Sequence, residues 1–275
     1  MDLDSVRTLL IDGDGVLWRG DEAIPGLDHF AAVLRRRSIR WALLTNNNTR
    51  TVDDYVTKLA GFGLDADPGM VFTSSTATAD YLVDRYGVGA PVHALGMSGL
   101  IEALGEAGFH LTHGEQAPEH DVVAVAAGMD RDLTYKKVKI AIRLIFAGAE
   151  FVATNTDGTY PTPDGLSPGT GMVIGALQGS SGVTPTVIGK PERAIFQAAM
   201  KSLGANAATT AMIGDRLETD ILGAKRAGIA AIGVLSGVST REQLAGSAIQ
   251  PDVLFESIAE LAQAFDEATL AVRPG

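Results

Sequence analysis

Short apolar runs recur along the chain, and each gives way to a longer stretch whose apolar positions have helical spacing. The runs are too brief for helices and are bounded by glycine or polar residues, which is typical of strands buried on both faces. Five of them are RTLLI (7–11), RWALL (40–44), TPTVI (184–188), TAMI (210–213) and AAIGVL (230–235). They predict the strands of a parallel sheet.

The stretches that separate these runs predict amphipathic helices. The clearest are GLDHFAAVLRRRS (26–38), RTVDDYVTKLAGFG (50–63), PERAIFQAAMKSLG (191–204) and TDILGAKRAG (219–228). The last two close with a Lys or Arg and then a Gly, a common way for a helix to end. Strands and helices alternating in this way predict an α/β fold, with a Rossmann-like, doubly wound parallel sheet covered by helices on both faces.

A second set of alternating elements lies in the middle of the chain. Its predicted strands are APVHALG (90–96), VVAVAAG (122–128) and EFVATN (150–155), and its predicted helices are GLIEALGEAG (99–108) and YKKVKIAIRLIFAG (135–148). The pattern alone permits a continuation of the same sheet or an inserted domain. The positions of the polar motifs decide between these two arrangements.

Composition and net charge limit the classes of binding partner that we expect. The 275 residues carry a net charge of −11, which disfavours binding to the phosphate backbone of nucleic acid. There is no cysteine, which excludes disulfides and thiolate zinc sites. The acidic N-terminus predicts no signal peptide, and no apolar run approaches the length of a membrane span. We therefore expect a cytoplasmic protein that binds neither nucleic acid nor membrane.

Polar side chains cluster directly after four of the predicted strands. They are Asp12 and Asp14 after the first, Thr45, Asn46, Asn47 and Asn48 after the second, Lys190 after TPTVI, and Asp215 and Asp220 after TAMI. Ligands of open α/β sheets bind beyond the carboxyl ends of the strands, so these groups are expected to converge. Several carboxylates beside a single lysine need a hard cation with oxygen ligands. Mg2+ is the natural choice, with Asp12, Asp14 and Asp215 as candidate ligands.

Two aspartates two residues apart suit a phosphoryl-transfer reaction. Asp12 can attack phosphorus as a nucleophile and form an aspartyl-phosphate. Asp14 can protonate the departing alkoxide and later accept a proton from the attacking water. Thr45 and nearby backbone N–H groups can bind phosphate oxygens, and Lys190 adds a fixed positive charge. The site is therefore predicted to hydrolyse a phosphate monoester.

At these clusters the sequence resembles the haloacid dehalogenase-like (HAD) phosphohydrolase superfamily. DGDGVLWRG (12–20) is similar to its first motif, Thr45 fits the second motif, Lys190 the third, and Asp215 with Asp220 the fourth. The resemblance implies that the backbone carbonyl of Asp14 contacts the metal. It also implies that Asp220 supports the metal through water or helps to order the site.

Spacing places an inserted cap domain. Thr45 follows Asp12 by 33 residues, enough for a short hairpin and a helix, whereas Lys190 follows Thr45 by 145. The insertion therefore lies between the second and third motifs, with residues 1–87 and 183–275 forming the core and 88–182 an α/β cap. In this position of its cap the chain is similar to the NagD-like, or 4-nitrophenylphosphatase-like, subfamily (subfamily IIA).

Further segments resemble that subfamily over nearly the whole chain. They are GMDRDLTY (128–135), ATNTDGTYPTPDGLSPGTG (153–171), GDRLETDILGAKRAGI (214–229) and VLSGVST (234–240). The resemblance implies that Asn46, Asn47 and Asn48 lie where the substrate phosphate is positioned. It also implies that Tyr160 lies on a cap loop that approaches the leaving group. Asn155 and Asp157 either shape that loop or contact the substrate, and the sequence leaves this open.

These inferences predict a Mg2+-dependent phosphatase acting on a small phosphorylated metabolite. A phosphotransferase or mutase of the same superfamily is one alternative, although mutases usually carry their cap between the first two motifs. A non-enzymatic receiver-like signalling protein is another, although such domains are much shorter. The family includes monomers and homodimers, so the oligomeric state stays open. Trp18 and Trp41 are predicted to be packing residues, with Trp18 near enough to the site to leave a further role open.

Overall fold

The computed structural model describes residues 1–162 and 165–271, and the chain divides into two compact units. The first unit comprises residues 1–45, 55–72 and 190–275, and the second comprises residues 46–54 and 73–189. None of the helices in the described ranges combines the length and hydropathy that a membrane span requires. Each unit has its own parallel sheet.

The described residues form the following elements. The strands are β1 (Thr8–Ile11), β2 (Trp18–Arg19), β3 (Glu22–Ala23), β4 (Arg40–Thr45), β5 (Val71–Thr73), β6 (Pro91–Leu95), β7 (His110–His113), β8 (Ala124–Ala127), β9 (Glu150–Ala153), β10 (Thr159–Thr162), β11 (Gly165–Pro168), β12 (Thr186–Val187), β13 (Thr210–Gly214), β14 (Ala230–Val234) and β15 (Val253–Phe255). The helices are α1 (Leu27–Arg36), α2 (Val52–Gly61), α3 (Ser74–Tyr86), α4 (Ser98–Glu106), α5 (Tyr135–Phe146), α6 (Thr170–Ser181), α7 (Arg193–Ser202), α8 (Leu222–Ala227), α9 (Arg241–Gly246) and α10 (Ile258–Ala271).

The sheet of the first unit has the strand order β15-β14-β13-β1-β4-β5 among the described residues. β1 pairs in parallel with β13 on one side and with β4 on the other. Every residue of β1 is buried, as expected for a central strand covered on both faces. Asp12 and Asp215, which directly follow β1 and β13, therefore emerge from neighbouring strands at the same edge of the sheet. The predicted α/β fold with a Rossmann-like core is confirmed.

The helices of this unit bury one apolar stripe each. In α1 the residues Phe30, Val33 and Leu34 are buried while the arginines that follow lie outward, which is the amphipathic pattern seen in the sequence. α1 packs against α10, and the Nη1 group of Arg37 donates a hydrogen bond of 2.6 Å to the carbonyl of Phe265. Between β1 and α1 the short hairpin of β2 and β3 is antiparallel.

The second unit is built on a sheet of strand order β12-β9-β8-β6-β7. Neighbouring strands of this sheet all pair in parallel, and the apolar core lies between the sheet and the helices α5 and α6. That core contains Leu95, Val122, Val125, Ala127, Ala141, Ile145, Ala149, Phe151, Ala153, Val173, Ile174 and Leu177. A separate antiparallel hairpin is formed by β10 and β11.

Two segments that flank the predicted cap belong to the second unit. The run TPTVI was predicted to be a strand of the core sheet, but the two residues of it that form β12 pair in parallel with β9 of the second unit. The amide of Gly189 extends this pairing by donating to the carbonyl of Thr154 at 2.8 Å. α3 likewise belongs to the second unit, where it contacts α4. Contacts with distant segments, β9 for β12 and α4 for α3, determine the unit to which each belongs, and the local sequence does not indicate them.

Candidate active site

Three of the sequence-predicted residues meet in the first unit, where the carboxylates of Asp12 and Asp220 contact the buried ammonium group of Lys190. The Nζ atom of Lys190 lies 2.5 Å from Oδ1 of Asp12 and 2.7 Å from Oδ1 of Asp220. It also donates a hydrogen bond of 2.8 Å to the carbonyl of Leu44, near the end of β4. All three charged residues are buried, so the lysine is held in one place by groups from three different segments.

Asp215 completes the cluster from the end of β13. Its Oδ2 atom accepts a hydrogen bond of 2.6 Å from the backbone N–H of Val238, and its carbonyl accepts one from Ser239. Gly237 allows this approach, because a Cβ at that position would overlap the Asp215 carboxylate. The other oxygen, Oδ1, is buried and makes no hydrogen bond to any described residue.

The donor set fits a hard divalent cation. Carboxylate oxygens of Asp12, Asp215 and Asp220 all lie within 4.8 Å of one another. Buried carboxylates this close repel each other unless a cation lies among them, and oxygen donors suit Mg2+ or Ca2+. A buried carboxylate oxygen normally has a hydrogen-bond partner, and Oδ1 of Asp215 has none among the described residues. An oxygen in this situation is suited to bind a metal ion.

The pKa values of Asp12, Asp215 and Lys190 are shifted in the directions expected for an excess of negative charge. Burial raises the pKa of Asp12 well above its usual value, and neighbouring Asp220 and Asp215 add to the effect while Lys190 opposes it. Burial also raises the pKa of Asp215 to about 7, with a further contribution from Asp220. Burial would lower the pKa of Lys190, but its attraction to Asp12 and Asp220 outweighs this and raises it. One lysine therefore does not neutralise three carboxylates.

Asp14 lies in the loop between β1 and β2 and is half-buried. Its Oδ1 atom accepts a hydrogen bond of 3.0 Å from the indole Nε1–H of Trp18. In contrast to Asp12, its carboxylate is not part of the cluster of three that could hold a metal among the described residues. A separation of this kind suits a carboxyl group that handles protons while its neighbour binds metal.

The polar residues after β4 fall on both sides of the unit boundary. Thr45 is the buried last residue of β4 and belongs to the first unit, whereas the asparagines belong to the second. Within the second unit Asn48 donates to the hydroxyls of Thr154 and Thr170, both at 3.0 Å, and accepts from the amide of Met129 at 2.8 Å. This network gives Asn48 a structural role, and its predicted contact with substrate stays a prediction.

Asn46 and Asn47 are also engaged locally. The side-chain amide of Asn46 donates to the carboxylate of Asp157 at 3.2 Å, and the backbone carbonyl of Asn46 accepts from the side-chain amide of Asn155 at 2.7 Å. Asn47 accepts hydrogen bonds from the backbone and the hydroxyl of Thr49. Asn155 and Asp157 thus hold the segment that follows β4, which supports the loop-shaping interpretation of these two residues.

Tyr160 lies on β10 in the second unit. The guanidinium of Arg131 stands 5.7 Å from the centroid of its ring, within the range of a cation–π contact. Residues 163–164, which follow β10, lie outside the described residues. The prediction that Tyr160 contacts the leaving group is not tested by these contacts.

Some contributors to the site were not predicted from the sequence. The backbone N–H of Val238 and the carbonyl of Leu44 bind Asp215 and Lys190, and backbone groups leave no mark on side-chain patterns. The segment VLSGVST carried the available signal, since its glycine lies beside Asp215. Trp18, predicted to be a packing residue, also binds Asp14.

Comparisons with known proteins agree with this geometry. A family model described as haloacid dehalogenase-like hydrolase matches residues 9–110, which include Asp12, Asp14 and Thr45. A second model, of HAD-like hydrolases, matches residues 187–261, which include Lys190 and Asp215.

Individual relatives match almost from end to end. The chain is 37% identical to a dihydroxyacetone phosphatase of Corynebacterium glutamicum, over 94% of this chain and 91% of the relative. Its structure is similar to that of a 4-nitrophenylphosphatase of Thermotoga maritima, with a TM-score of 0.88, 32% identity and coverage of 96% and 98% of the two chains. It is also similar to a glycerol phosphate phosphatase of Mycobacterium tuberculosis solved in complex with calcium, with a TM-score of 0.86, 30% identity and coverage of 95% and 76%.

Proposed function

The chain belongs to the haloacid dehalogenase-like hydrolase family, and from this premise we propose that it is a Mg2+-dependent phosphatase of small phosphomonoesters. The predicted family and class of enzyme are confirmed by relatives that are themselves named phosphatases. The predicted use of a divalent metal is supported by the carboxylate cluster and by the relative solved with calcium. The choice of Mg2+ and the roles of individual residues belong to the proposal.

One observation carries the proposal: Asp12, Asp215 and Asp220 converge with Lys190 in a buried cluster. A site with only carboxylates would repel a phosphate dianion, because two unit charges about 4 Å apart repel by roughly 4 kcal/mol at an effective dielectric of about 20. Lys190 and a bound cation reverse that sign. The cluster is therefore arranged to bring an anion to a carboxylate nucleophile.

In the first chemical step Asp12 attacks phosphorus. A carboxylate oxygen of Asp12 forms a bond to phosphorus, and the bond from phosphorus to the ester oxygen breaks with its electron pair on that oxygen. The carboxyl group of Asp14 gives its proton to the departing oxygen, so the leaving group departs as a neutral alcohol. The products of this step are an aspartyl-phosphate on Asp12 and the ionised Asp14.

The second step restores the enzyme. Water attacks the phosphorus of the aspartyl-phosphate and gives a proton to Asp14. The bond between phosphorus and the Asp12 oxygen breaks, which returns the Asp12 carboxylate and releases inorganic phosphate. Each turnover therefore consumes one ester and one water and leaves both aspartates in their starting forms.

The remaining groups hold charge and orientation. Asp12, Asp215 and Asp220 would hold Mg2+, with the Asp14 carbonyl as a further ligand, and the cation supplies charge neutralisation for the phosphoryl group. Lys190 orients the Asp12 carboxylate from 2.5 Å. We assign Thr45 to a phosphate oxygen, and Asn46, Asn47, Asn48 and Tyr160 to substrate binding.

The relatives indicate which esters to test first. One is named for dihydroxyacetone phosphate and another for glycerol phosphate, both phosphate esters of small three-carbon alcohols. We propose a small phosphorylated metabolite of this kind as substrate. The net charge of −11 disfavours a polyanionic macromolecular substrate.

The test is phosphate release from a panel of small esters, including 4-nitrophenyl, glycerol, triose and sugar phosphates, with Mg2+ and with EDTA. We expect release that requires the metal, and a phosphorylated protein recoverable after acid quench. Asp12→Asn should lower kcat at least about a thousandfold, as loss of a covalent nucleophile does elsewhere. Asp28→Asn, on the exposed face of α1, is the matched control and should be fully active.

Two results would contradict the proposal. Absence of phosphate release from every ester in the presence of Mg2+ would reject the phosphatase function. Full activity in Asp12→Asn would reject the assigned nucleophile. A product in which phosphate moves to another alcohol without being released would favour the phosphotransferase alternative.

A further inference from the structure

Trp18 contacts the loop that carries Asp14, residues 13–15, through three of its groups. Its indole Nε1–H donates to Oδ1 of Asp14 at 3.0 Å. Its backbone carbonyl accepts from the N–H of Gly15 at 2.7 Å, and its backbone N–H donates to the carbonyl of Gly13 at 3.2 Å. The loop that carries Asp14 is therefore bound on both sides by one residue.

The indole itself has a rigid seat within the first unit. Trp18 is only 1% exposed, and its ring stacks on Tyr55 with centroids 6.2 Å apart. Phe62 lies at the same distance in a tilted arrangement, and the Nζ atom of Lys58 stands 4.6 Å from the Trp18 ring. A side chain held by this many neighbours cannot rotate to release its hydrogen bond.

The ring also lies directly against the loop backbone. A Cβ at Gly13 would overlap the benzene part of the Trp18 indole, so only glycine permits this approach. The position between Asp12 and Asp14 is therefore matched to the tryptophan rather than to the turn alone. Packing by itself would not require the indole N–H to point at Asp14.

We infer that Trp18 is a positioning residue for Asp14 and holds its carboxyl group in one orientation. The inference deepens the proposed function and rests on the role of Asp14 given there. An indole N–H is a donor only, so the oxygen facing it, Oδ1, must act as an acceptor. This hydrogen bond fixes the carboxyl group of Asp14 in one orientation for proton transfer.

This role has a consequence that a purely structural role lacks. Proton delivery matters for a poor leaving group such as an alkoxide and little for 4-nitrophenolate, which departs readily without a proton. Disturbing the orientation of Asp14 should therefore slow alkyl esters selectively. General loss of packing would slow both kinds of ester alike.

The experiment compares Trp18→Phe with wild type, using kcat/KM for glycerol phosphate, phenyl phosphate and 4-nitrophenyl phosphate. This parameter reports the steps up to departure of the alcohol. We expect it to fall at least about tenfold for glycerol phosphate and less than about threefold for 4-nitrophenyl phosphate, within the range of general acid catalysis. Phenyl phosphate should fall between them.

Trp41→Phe is the matched control, because Trp41 is a buried tryptophan of the same unit on β4. It should leave the ratio between the two esters unchanged. A double variant tests the route of the effect: in an Asp14→Asn background, Trp18→Phe should change that ratio by less than about twofold, since residues acting through one another are not additive.

A second replacement keeps the test valid if Trp18→Phe fails to fold. The chain contains two tryptophans, so in Trp41→Phe protein Trp18 is the remaining one. Biosynthetic replacement of tryptophan by benzothienylalanine then preserves the bicyclic shape and removes the N–H donor. The same selective loss on glycerol phosphate is expected.

The outcomes separate the inference from the function on which it rests. If wild type hydrolyses the esters and both modified proteins lose activity equally on all of them, or lose none, Trp18 does not position Asp14 and the inference is overturned. If wild type hydrolyses none of the esters, the proposed function fails first. A selective loss on poor leaving groups supports both.

Discussion

At the scale of single residues the site depends on charges that are expensive to bury separately. Lys190 is enclosed by Asp12, Asp220 and a backbone carbonyl, and all three charged side chains are buried. Removing one partner of such a cluster leaves the others charged and desolvated. These buried ion pairs therefore contribute to the stability of the first unit.

Replacing Lys190 tests this directly. Lys190→Met should lower the free energy of unfolding by about 3–5 kcal/mol in EDTA near neutral pH, because Asp12 and Asp220 lose their counter-charge in a buried place. The measurement is urea denaturation monitored by circular dichroism.

The control is Lys225→Met, which removes an ion pair of the same length from the surface. Lys225 lies 2.5 Å from Asp252, but these side chains are 40% and 35% exposed. Its loss should cost about 1 kcal/mol or less. Equal costs for the two variants would contradict the view that burial gives the Lys190 cluster its importance.

At the scale of elements, one carboxylate joins the edge of the second sheet to a helix. Glu150 begins β9 and accepts hydrogen bonds from Tyr81 at 2.8 Å and Tyr86 at 2.6 Å, both on α3. The hydroxyl of Thr186 on β12 donates to it at 3.0 Å, and Arg85 forms an ion pair with it. Burial would raise the pKa of Glu150, but these donors outweigh it and lower the pKa.

Tyr86→Phe should therefore lower the free energy of unfolding by about 1–2 kcal/mol, since it removes a hydrogen bond to a charged group. The cost should shrink as pH falls: the lowered pKa of Glu150 gives stability that is present above its usual value of 4.5 and is lost below it. Denaturation of wild type and variant at neutral and acidic pH measures both effects.

Tyr135→Phe is the control for this prediction. Tyr135 begins α5 with 85% of its surface exposed, so its loss of a hydroxyl should change stability by less than about 0.5 kcal/mol at either pH. A cost for Tyr86→Phe that does not decrease in acid would show that the Glu150 carboxylate is not its origin.

At the scale of the whole molecule, metal binding links the site to stability and pH. Burial raises the pKa of Asp215 to about 7, from an ordinary value of 3.8. Without metal the folded chain therefore holds more protons here than the unfolded chain, and this contribution to stability falls as pH rises from about 4 to about 7. A divalent cation binds the ionised ligands and opposes that loss.

We therefore expect Mg2+ to stabilise the protein more at about pH 8.5 than at about pH 5.5. The increase in Tm over a sample in EDTA should reach about 5 °C at the higher pH and fall at the lower, where protons compete for the carboxylates. Differential scanning calorimetry at the two pH values measures it. Asp215→Asn should reduce the increase at both.

A shift in Tm that is as large in acid as in base would contradict this prediction. It would mean that the stabilising cation binds groups other than these carboxylates. Calcium offers a comparison, because a cation that is held by the same oxygens should follow the same pH trend.

The amino-acid sequence by itself determined the class of fold and indicated that Asp12, Asp215, Asp220 and Lys190 would lie together. Runs such as RTLLI are apolar throughout and short, so they have no stable place except in the middle of a covered sheet. The carboxylates Asp12 and Asp215 directly follow such runs, and parallel strands deliver their ends to one edge whatever lies between them. The family resemblance rests on these same positions.

Only the tertiary structure decided what depends on partners distant in the chain. β12 joins the second sheet because β9 offers it an edge, and α3 escaped prediction because its first turns are small and polar, SSTATA. Backbone groups of Leu44 and Val238 complete the site, and Trp18, which was predicted to be a packing residue, also donates a hydrogen bond to Asp14. The pattern of side chains indicates which residues are buried. The direction in which a hydrogen-bond donor points, such as the indole N–H of Trp18, is fixed only by the packing of the folded chain.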